Sequence, residues 1–291
     1  MPFYSETLGL TDSAFTLLRD LIETHTGVFY DNGKRGLLAD KLSPLVVAQG
    51  FDSFLDYYYL LKYDTAAGRE WERVLDALSV PETYFWREID QVETVVDLLL
   101  PRLAAGRSGQ PLRIWSAACA SGEEPLTLAI ALNEAGWFER ANIEIYASDA
   151  SARALQKARQ GVYRGRSFRA LPAPLQTKYF QEQGPGVWQV DPALHRKINW
   201  SQANLTREAD VAYLANAHII FCRNVFIYFS EPAIRRTVSL FQKYMPRPGY
   251  LCVAAAESLL RVTTDFELQE IGGAFIYVNQ QTNNRRIIWS G

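Results

Sequence analysis

Glu123 and Glu124 stand side by side behind a run of small residues, in Arg113-Ile-Trp-Ser-Ala-Ala-Cys-Ala-Ser-Gly-Glu-Glu-Pro125. The pattern reads as an apolar strand, a loop of Ala117, Ala118, Ala120, Ser121 and Gly122, and the opening of a helix. Small side chains in such a loop let a ligand approach the backbone closely. Paired carboxylates there would repel a phosphate, and the loop has one glycine where a dinucleotide site carries G-x-G-x-x-G. The chemistry this segment suits is therefore recognition of a cationic, hydroxyl-rich ligand.

A loop of that kind needs a sheet to hold it, and the rest of the chain supplies the pattern. From Thr11 to about Leu78 apolar residues fall at helical spacing: Phe15, Leu18, Leu21 and Ile22, then Phe54, Leu55 and Tyr58, then Trp71, Val74, Leu75 and Leu78. Thr11 or Asp12 and Asp52 or Ser53 are expected helix starts; Gly27 and Gly50 are expected stops. After Gly106-Arg-Ser-Gly-Gln-Pro111 the pattern becomes alternation of strand and helix: strand 112–116, helix 126–135, strand 143–148, helix 152–159. Strands near 198–201, 218–222 and 250–255 and a helix around 233–244 continue it. A closing hairpin is expected from Phe275–Val278 against Arg286–Trp289, turned at Thr282-Asn-Asn284. Tyr179–Val190 reads as strand, Gly/Pro turn and strand, a small β insertion. The expected class is α/β: a class I S-adenosylmethionine-dependent methyltransferase sheet with a small antiparallel β insertion, preceded by an all-α domain. The boundaries are 1–90 for the helical recognition domain and 91–291 for the sheet domain, with the insertion at about 179–200.

Ligands of open α/β sheets sit beyond the carboxyl ends of the strands. Four such ends stand out: the Ala-Ser-Gly-Glu-Glu loop, Asp149, Asn204-Leu205 and Arg223-Asn224. An acid closing the second strand is placed to accept hydrogen bonds from ribose hydroxyls, so together these ends outline a nucleoside pocket. S-adenosyl-L-methionine fits it: a sulfonium cation, an ammonium needing acceptors, a carboxylate needing an arginine. Phe85, Trp86, Arg87 and Glu88 precede the sheet and could close over it. The three histidines (His25, His195, His218) lie outside the candidate loops, which argues against histidine acid–base chemistry. Methyl transfer to an ionised carboxylate needs no base, only an oxygen held in line with water excluded. Tyr228, in Asn224-Val-Phe-Ile-Tyr-Phe229, is the side chain expected to orient the reacting groups.

Bulk properties narrow the class further. Thirty basic residues against 32 acidic ones give a net charge of −2, so a nucleic-acid partner requiring a dominant basic field is disfavoured. The cysteines (Cys119, Cys222, Cys252) form no C-x-x-C pair, so neither a disulfide framework nor a zinc site is expected. The N-terminus lacks a basic and apolar leader pattern, and no apolar run approaches the roughly 18 residues of a membrane span. The expectation is a cytoplasmic protein that does not insert into a membrane.

At these residues the chain resembles the bacterial chemotaxis receptor glutamate methyltransferases, the CheR family. Four segments carry the resemblance in family order: Glu-Thr-Tyr-Phe-Trp-Arg-Glu (82–88), 113–125 as quoted above, Ala-Ser-Asp (147–149) and Ile-Phe-Cys-Arg-Asn-Val-Phe-Ile-Tyr-Phe (220–229). The resemblance implies a cofactor site at Thr83, Arg87, Glu123, Asp149, Asn204, Leu205, Arg223 and Asn224. It implies methylation of glutamate side chains on methyl-accepting chemoreceptors, giving γ-methyl esters and S-adenosyl-L-homocysteine, with the receptors' cytoplasmic helical domain as partner. Pro81 stands where the family often has Asn, which removes one expected cofactor contact. The helix 38–47 carries Lys41 as its only base where the family usually has several arginines. The β insertion looks shorter than in members that dock a receptor's C-terminal pentapeptide, so independence of that tether is expected. The alternative is a non-catalytic S-adenosylmethionine-sensing module of a chemosensory array; a nucleic-acid or small-molecule methyltransferase would call for a basic groove or a general base, and neither is visible.

Overall fold

Helical periodicity near the N-terminus produces four helices around one core. The computed structural model describes residues 8–65, 67–80, 82–105 and 109–280. α1 (Asp12–Thr26) starts at Thr11, whose hydroxyl accepts from Ala14 N, and stops at Gly27 in the left-handed region at φ 78°. α2 (Arg35–Ala48), α3 (Phe54–Tyr63, capped by Ser53) and α4 (Gly68–Leu78) follow. Leu18, Ile22, Leu38, Leu42, Val46, Tyr57 and Val74 are completely buried at their centre. Each such apolar side chain contributes about 1.5–3 kcal/mol by leaving water. Within that core Tyr57 donates to the buried Glu70 at 2.7 Å, and Gln49 donates to the same carboxylate at 2.6 Å.

α5 (Ile89–Thr94), a π-helical stretch (Val95–Leu99) and α6 (Leu100–Ala104) lead into the sheet. The strands are β1 (Leu112–Ala117), β2 (Ile143–Asp149), β3 (Val162–Arg164), β4 (Phe180–Gly184), β5 (Val187–Val190), β6 (Ile198–Gln202), β7 (Ile219–Phe221), β8 (Gly249–Cys252), β9 (Glu267–Ile271) and β10 (Ala274–Asn279). Seven of them form one sheet in the order β6-β2-β1-β7-β8-β10-β9. β6, β2, β1, β7 and β8 are parallel and β10 is antiparallel to both its neighbours. That order, reversing direction between β1 and β7, puts a crevice at the carboxyl ends of β1, β2 and β7. β1 runs through the middle, with Ile114 and Trp115 wholly buried, which is why it reads as an unbroken apolar run. α7 (Glu123–Glu134) and α8 (Ala152–Gln160) follow β1 and β2, and α9 (Glu231–Tyr244) precedes β8.

Three expectations need correction. The hairpin that closes the sheet pairs β10 with β9 through Gly272-Gly273, and the opposite edge of β10 is taken by β8. Both edges of that strand are therefore used, and the expected partner at 286–289 and turn at 282–284 lie outside the described residues. The small insertion is a three-stranded sheet, β3-β5-β4, whose third member was not foreseen because only Tyr163 of its three residues points inward. Finally, the second helix begins at Arg35, so Lys41 is not its only base. Pro81 and residues 106–108 of the expected linker also lie outside the described residues.

Candidate functional site

The loop after β1 turns sharply: Ala118 and Ala120 have φ of 59° and 48°, and Gly122 has 93°. A Cβ at Gly122 would lie 2.8 Å from the Trp200 ring, so only glycine fits there. Asp149, at the end of β2, fastens this loop to the next. One carboxylate oxygen accepts from Ala120 N and the other from Ser151 N, both at 2.8 Å. Burial pushes its pKa up, against the lowering effect of those two N–H donors.

Asn204 and Leu205 follow β6. The Asn204 amide donates to the carbonyl of His25 at 2.6 Å, tying this strand end to the end of α1, while its oxygen accepts from Thr206. Beyond β7, Asn224 has φ 60° and its N–H donates to Glu257 at 2.9 Å. The same buried carboxylate accepts from Ile227 N at 3.2 Å and from Ala254 N at 3.0 Å, so it clamps the loop after β7 to the loop after β8. Tyr228 closes the short 3-10 turn Phe226–Tyr228 in that loop. Its carbonyl accepts from Phe29 N at 2.9 Å, Ser230 N donates to Gly27 O at 3.1 Å, and Val28 and Phe229 form an antiparallel bridge.

Between these strand ends and the helical domain lies a cavity of about 250 Å³. Asp149, Asn204, Leu205, Asn224 and Tyr228 line it, together with Ala118 and Ala120. The facing wall comes from Thr26, Phe29, Lys34, Leu37 and Lys41. Five of the nine site residues expected from the sequence are thus brought together.

The other four stand outside that lining. Glu123 is buried and accepts from the hydroxyls of Ser121 at 2.8 Å and Ser167 at 3.0 Å; burial raises its pKa. Arg223 lies behind the cavity wall, its side chain 2% exposed, with Nε donating to Glu124 at 2.7 Å and Nη1 to the carbonyl of Glu88 at 3.1 Å. Ser116 donates to the second oxygen of Glu124 at 2.6 Å, so that pair is saturated. Thr83 and Arg87 sit on the segment after Val80. Arg87 donates to the carbonyl of Glu82 at 3.0 Å and its guanidinium lies over the Tyr84 ring.

Two features escaped the sequence reading. Glu257 lies in the loop beyond β8, after Val253 to Ala256, and carrying the strand-end rule to a fifth strand and its loop would have reached it. The helical wall carried no motif, because Phe29, Leu37 and Lys41 read as ordinary members of an amphipathic segment. The cysteines are all buried, which pushes their thiols up, Cys252 to about 12.

The strand-end wall fits an adenosyl ligand. The Asp149 carboxylate, with about four lone-pair sites, accepts from backbone N–H groups and keeps capacity for a hydroxyl, while the alanines leave room for close approach. Sheet order, strand-end cavity and acidic second strand define a class I methyltransferase that uses S-adenosylmethionine. More particularly, the chain belongs to the CheR methyltransferases: residues 81–274 match the SAM binding domain of that family and residues 13–79 its all-alpha domain. Chemotaxis protein methyltransferase 2 of Vibrio cholerae is 36% identical over 262 residues, covering 89% of this chain and 90% of that protein. Chemotaxis protein methyltransferase 1 of Pseudomonas aeruginosa is 31% identical over 93% of this chain and 99% of its own length. Chemotaxis protein methyltransferase Cher2 of Pseudomonas putida is 30% identical over 90% and 96%.

Proposed function

We propose that this protein is a cytoplasmic protein-glutamate O-methyltransferase that converts glutamate side chains on the helical cytoplasmic domain of chemoreceptors to γ-methyl esters. The observation that carries the reading is the cavity between the two walls, where an acid suited to ribose, a strand-end asparagine and Tyr228 face an apolar surface. When bound, S-adenosylmethionine supplies an electrophilic methyl group on a sulfonium. Asp149, Asn204, Leu205 and Asn224 hold the cofactor; Tyr228 orients the substrate carboxylate; the buried Leu78 in the cavity lining helps exclude water, which strengthens the attack of an oxygen that is already ionised. Transfer to an oxygen that is already ionised needs no base.

Glu123 and Arg223 serve from behind, fixing the first loop and the β7 end through Ser121, Ser167 and Glu124. Thr83 and Arg87 are assigned to the methionine end of the cofactor, on the segment next to Val80, itself a lining residue. No helix of the described residues is long and apolar enough to cross a membrane. Nucleic acid is not assigned as a partner, and receptor recognition is assigned to the helical domain without a C-terminal pentapeptide.

The test is to supply methyl-labelled S-adenosylmethionine with membranes from the source bacterium and ask which protein acquires base-labile label. Labelled receptor supports the reading. Tight binding of S-adenosylhomocysteine without any transfer would identify a sensing module instead.

A further inference from the structure

We infer that this enzyme docks its receptor helix by apolar contact rather than by charge. The inference rests on the glutamate methyltransferase reading and names what the substrate must present beside its target carboxylate. Five large apolar side chains line the cavity and remain open to solvent: Phe29 (38% exposed), Leu37 (48%), Val80 (47%), Ile227 (51%) and Tyr228 (37%). Scattered singly, exposed apolar residues mean little; gathered on the rim of one cavity they mark a binding surface.

The Lys and Arg side chains of the first two helices and their connection are all engaged within the chain. Between residues 8 and 50 the basic side chains are Arg19, Lys34, Arg35 and Lys41. Arg19 pairs with Asp20 at 2.8 Å and packs its guanidinium against the Phe29 ring. Lys34 pairs with Asp31 at 3.1 Å, and Arg35 pairs with Asp12. Lys41 is turned inward, donating to the carbonyl of Ala77 at 2.9 Å, and burial lowers its pKa. Lys34 and Lys41 are the only cations lining the cavity among the described residues.

The occupant is fixed by continuity. The apolar rim leads directly to Tyr228, so whatever covers it carries the carboxylate to be methylated. A helix brings residues three or four apart onto one face, so the fitting substrate is an amphipathic helix with an apolar residue one turn from its target glutamate. Acidic neighbours, which a basic docking helix would favour, find no free partner on this wall.

The experiment follows base-labile methyl-ester formation on receptor-bearing membranes of the source bacterium, with wild type, Leu37→Met, Leu37→Asp and Leu37→Arg. Calorimetric binding of S-adenosylhomocysteine to each variant verifies the fold and the cofactor site. Apolar docking predicts that both charged variants raise KM about tenfold with little change in kcat, that Leu37→Met restores wild-type behaviour, and that the wild-type rate moves less than about twofold between low and high salt. Opposite signs for Leu37→Asp and Leu37→Arg, or a wild-type rate that falls about tenfold with salt, would overturn the docking proposal and leave methyl transfer standing. Absence of label with the wild-type enzyme would overturn the methyltransferase reading and the docking proposal together.

Discussion

The two walls of the cavity are built on opposite principles. On the sheet side nearly every polar group is spoken for: Asp149 holds two loops, Glu257 two more, and Glu124 locks Arg223 against Ser116. On the helical side the surface is apolar and exposed, and its cations are turned to internal partners. A wall of clamped loops presents fixed acceptors and suits a small polar ligand, whose recognition depends on hydrogen bonds placed in advance. A wall of exposed apolar side chains suits a macromolecular face, which makes up in area what it lacks in directed bonds. The difference fits the proposed division, with the cofactor held by the clamped strand ends and the protein substrate covering the apolar rim, to which Ile227 and Tyr228 of the sheet side also contribute.

That division can be broken most directly at Asp149. Asp149→Ala should lower S-adenosylhomocysteine affinity about a hundredfold by calorimetry, since hydrogen bonds to a charged group contribute about 1.5–3 kcal/mol each and the first loop loses its fastening as well. The same residue predicts a pH dependence. Its pKa is raised in the folded protein by burial, so acidification neutralises it at a higher pH than an ordinary aspartate. Cofactor affinity should therefore weaken as pH falls toward that range and be fully present well above it, whereas Asp149→Asn should give a flat profile. Glu257→Gln is next, because an amide nitrogen in place of either oxygen would face at least one backbone N–H donor: Ile227 N on one side, or Asn224 N and Ala254 N on the other. A loss of about 1–3 kcal/mol in urea unfolding and a drop of about tenfold in turnover are expected.

Arg87→Ala should weaken S-adenosylhomocysteine binding about tenfold, less than Asp149→Ala, because its segment lies outside the lining described above. Unchanged affinity would mean that the strand-end wall holds the cofactor alone. Tyr228→Phe should leave that affinity within about twofold and lower turnover about tenfold, separating orientation from binding. The smallest expected effect is none: a receptor C-terminal pentapeptide titrated by calorimetry should not bind. Micromolar binding would move part of recognition to the three-stranded sheet and break the division between the walls.

The sheet was legible in the chain because strands buried on both faces leave unbroken apolar runs, as at Ile114-Trp115, and because each run ends in a residue with chemical character. Asp149, Asn204 and Asn224 could be picked out on that ground. Arg223 was correctly placed at a strand end, yet its partner, Glu124, follows the neighbouring strand β1, about a hundred residues earlier, and no spacing rule reveals which residues the sheet order will bring together. The hairpin was misassigned for a related reason. Strand character is local, whereas the choice between an upstream and a downstream partner depends on which edge of β10 the core leaves free. The helical wall left no trace because exposure of Phe29 or Leu37 is decided by how two domains meet.

The backbone pairing of residues 27–30 with 228–230 bears on any attempt to retarget this enzyme. Exchanging the helical bundle for that of a relative would look like a change of specificity alone, since the bundle has its own core. Here the exchange would also cut the amide of Phe29 from the carbonyl of Tyr228 and leave the Phe229 ring without the glycine that lets it close. A chimera joined after residue 80 would inherit a slackened turn at Phe226–Tyr228. Keeping His25 to Tyr30 of the original chain as a graft within the new bundle should restore it.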